Sequence, residues 1–232
     1  MSEAAAFSIP RFFIFGDSHA GTIMQAAKAL ALDFAGGSIM AGMHMNEEFF
    51  KVRGRRFVMT TEMGKDRLET RLDEASLSRN FLDVQMPILS TVGFNTHNFA
   101  HHFAEAGLAI ATSEGKRLIS RACFRAVVEA ARPGALDFYR VLASEKKNVF
   151  AVLSPQIFDP DEAAVCQAFD EVMISLVTSL GVQIVDVRAE TTDSDGVLLR
   201  QFARAEDNVH GNDAFGELVL RKFAQMIASE PA

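Results

Sequence analysis

The chain repeats one unit: a short, wholly apolar run that stops at glycine or proline, then a segment with helical spacing. "RFFIFG" (Arg11 to Gly16) is the first such run, and the Ala- and Leu-rich "GTIMQAAKALAL" from Gly21 follows it. "LDFAGGS" (Leu32 to Ser38), "QMPILSTVGFN" (Gln85 to Asn95), "NVFAVLSP" (Asn148 to Pro155) and "VQIVDVRAE" (Val182 to Glu190) repeat the strand signal between helical stretches. A strand that is apolar at every position has no solvent face, so it belongs in a sheet covered on both sides; parallel strands joined by helices meet that condition. The pattern predicts an α/β fold with a central parallel sheet of about five strands and helices on both faces.

One departure interrupts the rhythm. "FFKVRGRRFVMT" (Phe49 to Thr60) alternates about an Arg-Gly-Arg centre and reads as a β-hairpin. With the charge-laced helix of Lys65 to Leu82, it forms an insertion at about residues 44–80. Further helices are expected over Asn98 to Glu105, over Leu118 to Lys146 with a break at Pro133-Gly134, from Asp161 to just before Gly181, and over Asn212 to Ala228. Asp159 and Asp161 read as acidic capping of the helix that follows them.

A chain of 232 residues with 49% hydrophobic and 23% charged residues suits one folded domain, residues 1–232. The net charge of −7 argues against a nucleic-acid or anionic-membrane partner, since Arg53 to Arg56 is the one dense cationic spot. Cys123 and Cys166 lie in apolar helical segments and read as buried free thiols. No apolar run reaches the ~18 residues that would cross a bilayer. The first residues, with Glu, Pro and Arg inside a short apolar stretch, do not read as a signal peptide, so a cytoplasmic location is expected.

In a parallel sheet the ligand crevice lies beyond the C-terminal strand ends, and chemically capable residues gather there. Ser18 follows the first strand in "FIFGDSHAG"; Asp17 and Ser18 also suit the cap of the next helix. Gly36-Gly37 follows the second strand, Gly93-Phe94-Asn95 the third, and "DNVH" (Asp207 to His210) stands before the last helix. Acyl transfer needs a nucleophile, a base, a group that orients the base, and donors for an oxyanion. Ser18, His210 and Asp207 supply the first three. The donors would be Ser18 itself, the backbone N–H of Gly37 and the side-chain amide of Asn95.

These stretches, read in order along nearly the whole chain, resemble the blocks of the SGNH (GDSL-like) hydrolase superfamily: Gly16-Asp17-Ser18, "FAGGS", Gly93-Phe94-Asn95-Thr96 and Asp207 to His210. The resemblance implies a single-domain, flavodoxin-like three-layer sandwich and a serine esterase without a cofactor. It makes Gly37 the oxyanion-hole glycine, with Gly42 as a weaker alternative. His19 stands where the family commonly has leucine, and Thr96 replaces the usual second acid of the third block.

The substrate expected is a small-molecule carboxylic ester with a short, acetyl-like acyl group on a polar or carbohydrate alcohol. His19 and His97 would contact it, and the arginine-rich hairpin would overhang the site. Met40, Met43 and Met45 pull the other way, towards an apolar acyl pocket and the thioesterase or lysophospholipase side of the superfamily. Two rivals of other kinds are a metal-dependent hydrolase built on His97, His101 and His44, and a non-catalytic module that binds an acylated ligand. No acidic or cysteine partner stands at ligand spacing from the histidines, so no metal is expected. Nothing in the sequence sets the oligomeric state.

Overall fold

The computed structural model describes residues 9–110, 116–155, 162–205, 207 and 209–229. Asp159 and Asp161, expected to cap a helix, lie outside them.

The chain begins with strand β1 (Phe12–Gly16) and helix α1 (Ser18–Ala29), followed by β2 (Phe34–Ser38). The hairpin strands β3 (Phe50–Arg53) and β4 (Arg56–Met59) lead into α2 (Glu62–Glu74), β5 (Ile88–Ser90) and α3 (Thr96–Glu105). Two short pairing segments, β6 (Leu108–Ala109) and β7 (Arg117–Leu118), precede α4 (Arg121–Ala131) and α5 (Pro133–Ser144). The chain closes with β8 (Val149–Val152), α6 (Ala163–Thr178), β9 (Gln183–Val185), the single turn α7 (Arg188–Thr191) and α8 (Asp213–Ala228).

Five strands make the central sheet in the order β2-β1-β5-β8-β9, all parallel. This is a flavodoxin-like order, so the strand sequence reverses between β1 and β5, and the crevice of such a sheet opens there. β1 shows why both faces are covered. Phe12 and Ile14 enter a core built with α1 and α8, around Ile23, Phe150, Phe215 and Phe223. Phe13 and Phe15 enter the larger core on the other face, with the hairpin and α2 to α6. Successive side chains of a strand point to opposite faces, so a uniformly apolar run feeds two cores at once.

The helix boundaries follow local chemistry. Thr61, Ser120 and Asn212 each accept a backbone N–H in the first turn of α2, α4 and α8. Pro133 opens α5 at a position where no N–H is required. The predicted fifth strand is shorter than expected: it ends at Val185, and Asp186 takes four hydrogen bonds from Arg188, which turns the chain into α7. The β6–β7 pair was not anticipated, because two-residue strands leave no periodic signature.

The hairpin forms as expected but lies elsewhere. Phe50, Phe57 and Met59 are buried in the large core, with the Phe50 and Phe57 rings stacked at 4.5 Å. Its tip points towards the N-terminal edge of the sheet: the Arg55 carbonyl accepts from Asn80, and the Arg55 guanidinium pairs with Glu145 at the end of α5. It does not overhang the C-terminal strand ends, because its aromatic face is held flat against the core. Both cysteines are free, yet Cys123 is exposed on α4 and only Cys166 is buried.

Candidate active site

The end of β1 turns directly into α1. Asp17 is buried and caps the helix by accepting the His19 N–H at 3.0 Å, while Ser18 beside it is exposed. The aspartate ends the strand and caps the helix, as one reading of this stretch expects, and the serine is left facing outward. Thr91, just after β5, accepts the Asp17 N–H at 3.1 Å and donates its hydroxyl to Asp17 Oδ1 at 2.7 Å. The two strand ends at the switch point are thereby tied together.

His210 arrives from the opposite end of the chain. A Cβ added to Gly216 of α8 would stand 2.8 Å from Ala26 Cβ and 2.9 Å from the Thr22 carbonyl, so a glycine there lets α8 lie close against α1. Thr22 Oγ1 donates to the Gly211 carbonyl at 3.0 Å and fixes the preceding loop. In that loop Asp207 Oδ1 accepts the N–H groups of Val209 and His210, each at 2.7 Å. Asp207 Oδ2 lies 2.6 Å from His210 Nδ1, and His210 Nε2 lies 2.8 Å from Ser18 Oγ.

Electrostatics fix the direction of these bonds. Burial pushes the Asp207 carboxyl up, but the two backbone N–H groups and the His210 ring outweigh it and bring it down to about 2. An ionised carboxylate can only accept, so His210 Nδ1 carries the proton and Nε2 is left to accept from the Ser18 hydroxyl. Ser18 and the distant Asp207–His210 pair thus form one chain of hydrogen bonds.

The oxyanion side requires a correction. Gly37 stands inside β2, paired with Phe15, and a Cβ there would meet Met24 Sδ at 2.9 Å and Arg71 Nε at 3.5 Å. The glycine pair serves the sheet: a Cβ on Gly36 would lie 2.1 Å from the Ile14 carbonyl, and both glycines have positive φ (84° and 141°). Gly42 instead faces the site, where a Cβ would stand 2.6 Å from Asp17 Oδ2 and 2.7 Å from Asn95 Nδ2. Glycine at 42 is what lets the backbone come this close to Asn95.

Asn95, buried at the cap of α3, is held from behind by Arg132, whose Nη2 donates to its carbonyl at 3.1 Å. The Arg132 guanidinium lies over the rings of Phe169 (4.8 Å) and Phe99 (5.7 Å), and burial lowers it to about 10. Sequence reasoning missed Arg132; its signal was the Arg-Pro-Gly break between two helices. Thr96, in place of the second acid, is buried and donates to Asp170 Oδ1 at 3.0 Å, which ties the Asn95 loop to α6.

His19 is 5% exposed, which leaves little of its ring open to a substrate. Its ring packs against that of His210 with centroids 4.8 Å apart, and burial, against the attraction of Asp17, brings it down to about 4. His97 is half-buried; burial lowers it, with the charge of Asp17 opposing and His210 and Arg132 adding. His101, one turn away, is exposed and lies between Glu105 and Glu162. Among the described residues no three His, Cys, Asp or Glu side chains are placed to hold a metal ion, and no helix is long and apolar enough to cross a membrane.

No family model matches the sequence, and no curated protein matches it. Solved structures do resemble the fold. A point mutant of an acetyl-xylooligosaccharide esterase from Geobacillus superposes with a TM-score of 0.51 at 11% identity, over 97% of this chain and 97% of that one. An acetylxylan esterase from Geobacillus stearothermophilus gives 0.49 at 12% identity, over 97% of each chain. A GDSL-like lipase from Bacteroides thetaiotaomicron gives 0.43 at 11% identity, over 96% and 94%. At such identities the likeness is one of fold, and the fold is the one that the four sequence blocks implied.

Proposed function

We propose that this chain is a serine carboxylic ester hydrolase. The observation that carries the reading is the hydrogen-bond chain from Ser18 Oγ to His210 Nε2 (2.8 Å) and from His210 Nδ1 to Asp207 Oδ2 (2.6 Å). Ser18 Oγ attacks the ester carbonyl carbon while His210 Nε2 takes its proton. The negative charge that forms on the carbonyl oxygen is met by the N–H of Gly42, the amide of Asn95 and the N–H of Ser18 at the start of α1. Collapse of the intermediate breaks the bond to the alcohol oxygen, which leaves with the proton from His210. Water then repeats the sequence on the acyl-serine and releases the acid, and Asp207 stabilises the imidazolium at each stage.

The expectation of a polar alcohol keeps one support: His97 sits within electrostatic reach of both Asp17 and His210, the residue that gives the leaving oxygen its proton. That expectation loses two other supports, since His19 is buried and the hairpin points its arginines away.

Fluorophosphonate labelling tests the hydrolase reading against that of a non-catalytic binding module. The wild-type protein should be labelled at Ser18 and hydrolyse p-nitrophenyl acetate in the presence of a chelator, and Ser18→Ala should do neither. An unlabelled Ser18, or Ser18→Ala activity within a few-fold of wild type, overturns the assignment.

A further inference from the structure

A groove of about 580 Å³ lies next to the residues proposed as oxyanion donors: its lining includes the chain neighbour of Gly42 and the arginine bonded to Asn95. Met43, the residue after Gly42, stands at its mouth and is 61% exposed. Arg132, which holds the Asn95 carbonyl, forms part of its wall. From there it runs along α3 past Phe99 and Phe103 to Leu108, with Val127 of α4 opposite. Its rim is polar, with Glu47 and His102 among its residues, and its floor is apolar. The volume lies within the ~300–1,000 Å³ of small-molecule sites. From Asn95 to Phe103 the helix rises about 12 Å at 1.5 Å per residue.

The position of the groove relative to His210 decides which part of an ester belongs in it. The leaving oxygen must lie beside His210 Nε2, which protonates it. His210 is delivered by the loop before α8, and α8 packs with α1 on one face of the sheet. The groove is built from α3 and α4, which pack on the other face, and it adjoins Gly42 through Met43 and Asn95 through Arg132. With the oxyanion at Gly42 and Asn95 and the alcohol at His210, the substituent left to run towards Met43 and α3 is the acyl chain.

Resting on the hydrolase reading, we propose that this groove is the acyl site and that the preferred substrate carries an unbranched, medium-length apolar acyl chain. Met43, exposed and unbranched, adapts at the mouth to the first carbons, and Phe99 and Phe103 line the path of the later ones. This replaces the acetyl preference expected from sequence.

The test is a p-nitrophenyl ester series from acetate to decanoate, run on the wild-type protein and on Ala106→Trp and Ala130→Trp, two exposed alanines whose enlargement fills the groove. The wild-type kcat/KM should rise by about fourfold per methylene from acetate to octanoate, in line with burial of each added CH₂. The octanoate-to-acetate ratio should fall at least tenfold in both variants; a ratio within one preparation does not depend on how much of it is folded. A wild-type series that is flat or falling from acetate, or ratios unchanged in both variants, overturns the acyl site while leaving the esterase in place. Hydrolysis of no ester in the series overturns the hydrolase reading and the acyl site together.

Discussion

Asp17 and Thr91, seventy-four residues apart, exchange two hydrogen bonds: the Asp17 N–H donates to Thr91 Oγ1, and the Thr91 hydroxyl donates to Asp17 Oδ1. Both residues are buried, and the carboxylate they secure caps the helix that presents Ser18. Thr91→Val keeps the shape and removes both bonds. It should lower stability in urea by about 1.5–3 kcal/mol, the usual worth of a hydrogen bond to a charged group. It should also reduce kcat more than KM, because the serine loses its fixed position. Unchanged stability shows that Asp17 is held by other means.

His210→Ala should be as damaging as Ser18→Ala, and the double variant no worse than either, since members of one proton-transfer unit do not contribute additively. Asp207→Asn should be milder, with kcat down by ~10²–10⁴. The Asp207 carboxylate is ionised above about 2 and loses its charge only as pH falls through that value. Loss of activity in mild acid therefore has another source. Equal damage from Asp207→Asn and His210→Ala contradicts an orienting role.

Asn95→Ala should lower kcat by ~10²–10³ with little change in KM, the cost of one oxyanion donor. Gly42→Ala should have a similar effect, because its Cβ would fall 2.7 Å from Asn95 Nδ2 and displace the amide. A raised KM with unchanged kcat in Asn95→Ala assigns the amide to ground-state binding instead.

His19 couples folding to pH. Its native value of about 4 lies below the ordinary 6.5, so between those values the unfolded chain binds a proton that the folded one refuses. The stability that neutral His19 contributes is present above about 6.5 and is lost as pH falls towards 4. The difference of 2.5 units corresponds to about 3 kcal/mol. His19→Leu should therefore lose about that much less stability than wild type between pH 7 and pH 4. Parallel losses in urea titrations of the two proteins refute the assignment.

The placement of Ser18, Asn95, Asp207 and His210 at the proposed site was legible in the sequence because each stands in a short motif next to an element boundary, and boundaries are marked locally by Gly, Asp and Asn. The parallel sheet was legible for the same reason: strands buried on both faces leave unbroken apolar runs. What failed depended on distant packing. Gly37 and Gly42 both follow the second strand signal, and only the approach of Asn95 separates them. His19 reads from sequence as a polar neighbour of the nucleophile, and only the packing of the His210 ring against it shows otherwise. The hairpin pattern was correct, but its direction is set by Phe50 and Phe57 against a core assembled from other parts of the chain. The Arg-Pro-Gly break marks Arg132 as a helix boundary only; it matters through a bond to a residue thirty-seven positions away.

The sheet divides the two halves of the proposed chemistry. α1 and α8, with the serine and the loop of its base, share one core, while Arg132 and the helices along the groove share the other. A lineage or a designer can therefore exchange side chains on α3 and α4 to suit new acids without disturbing the proton path, because no side chain of that path is rooted there. The acyl preference and the proton path become separately heritable traits of one small protein.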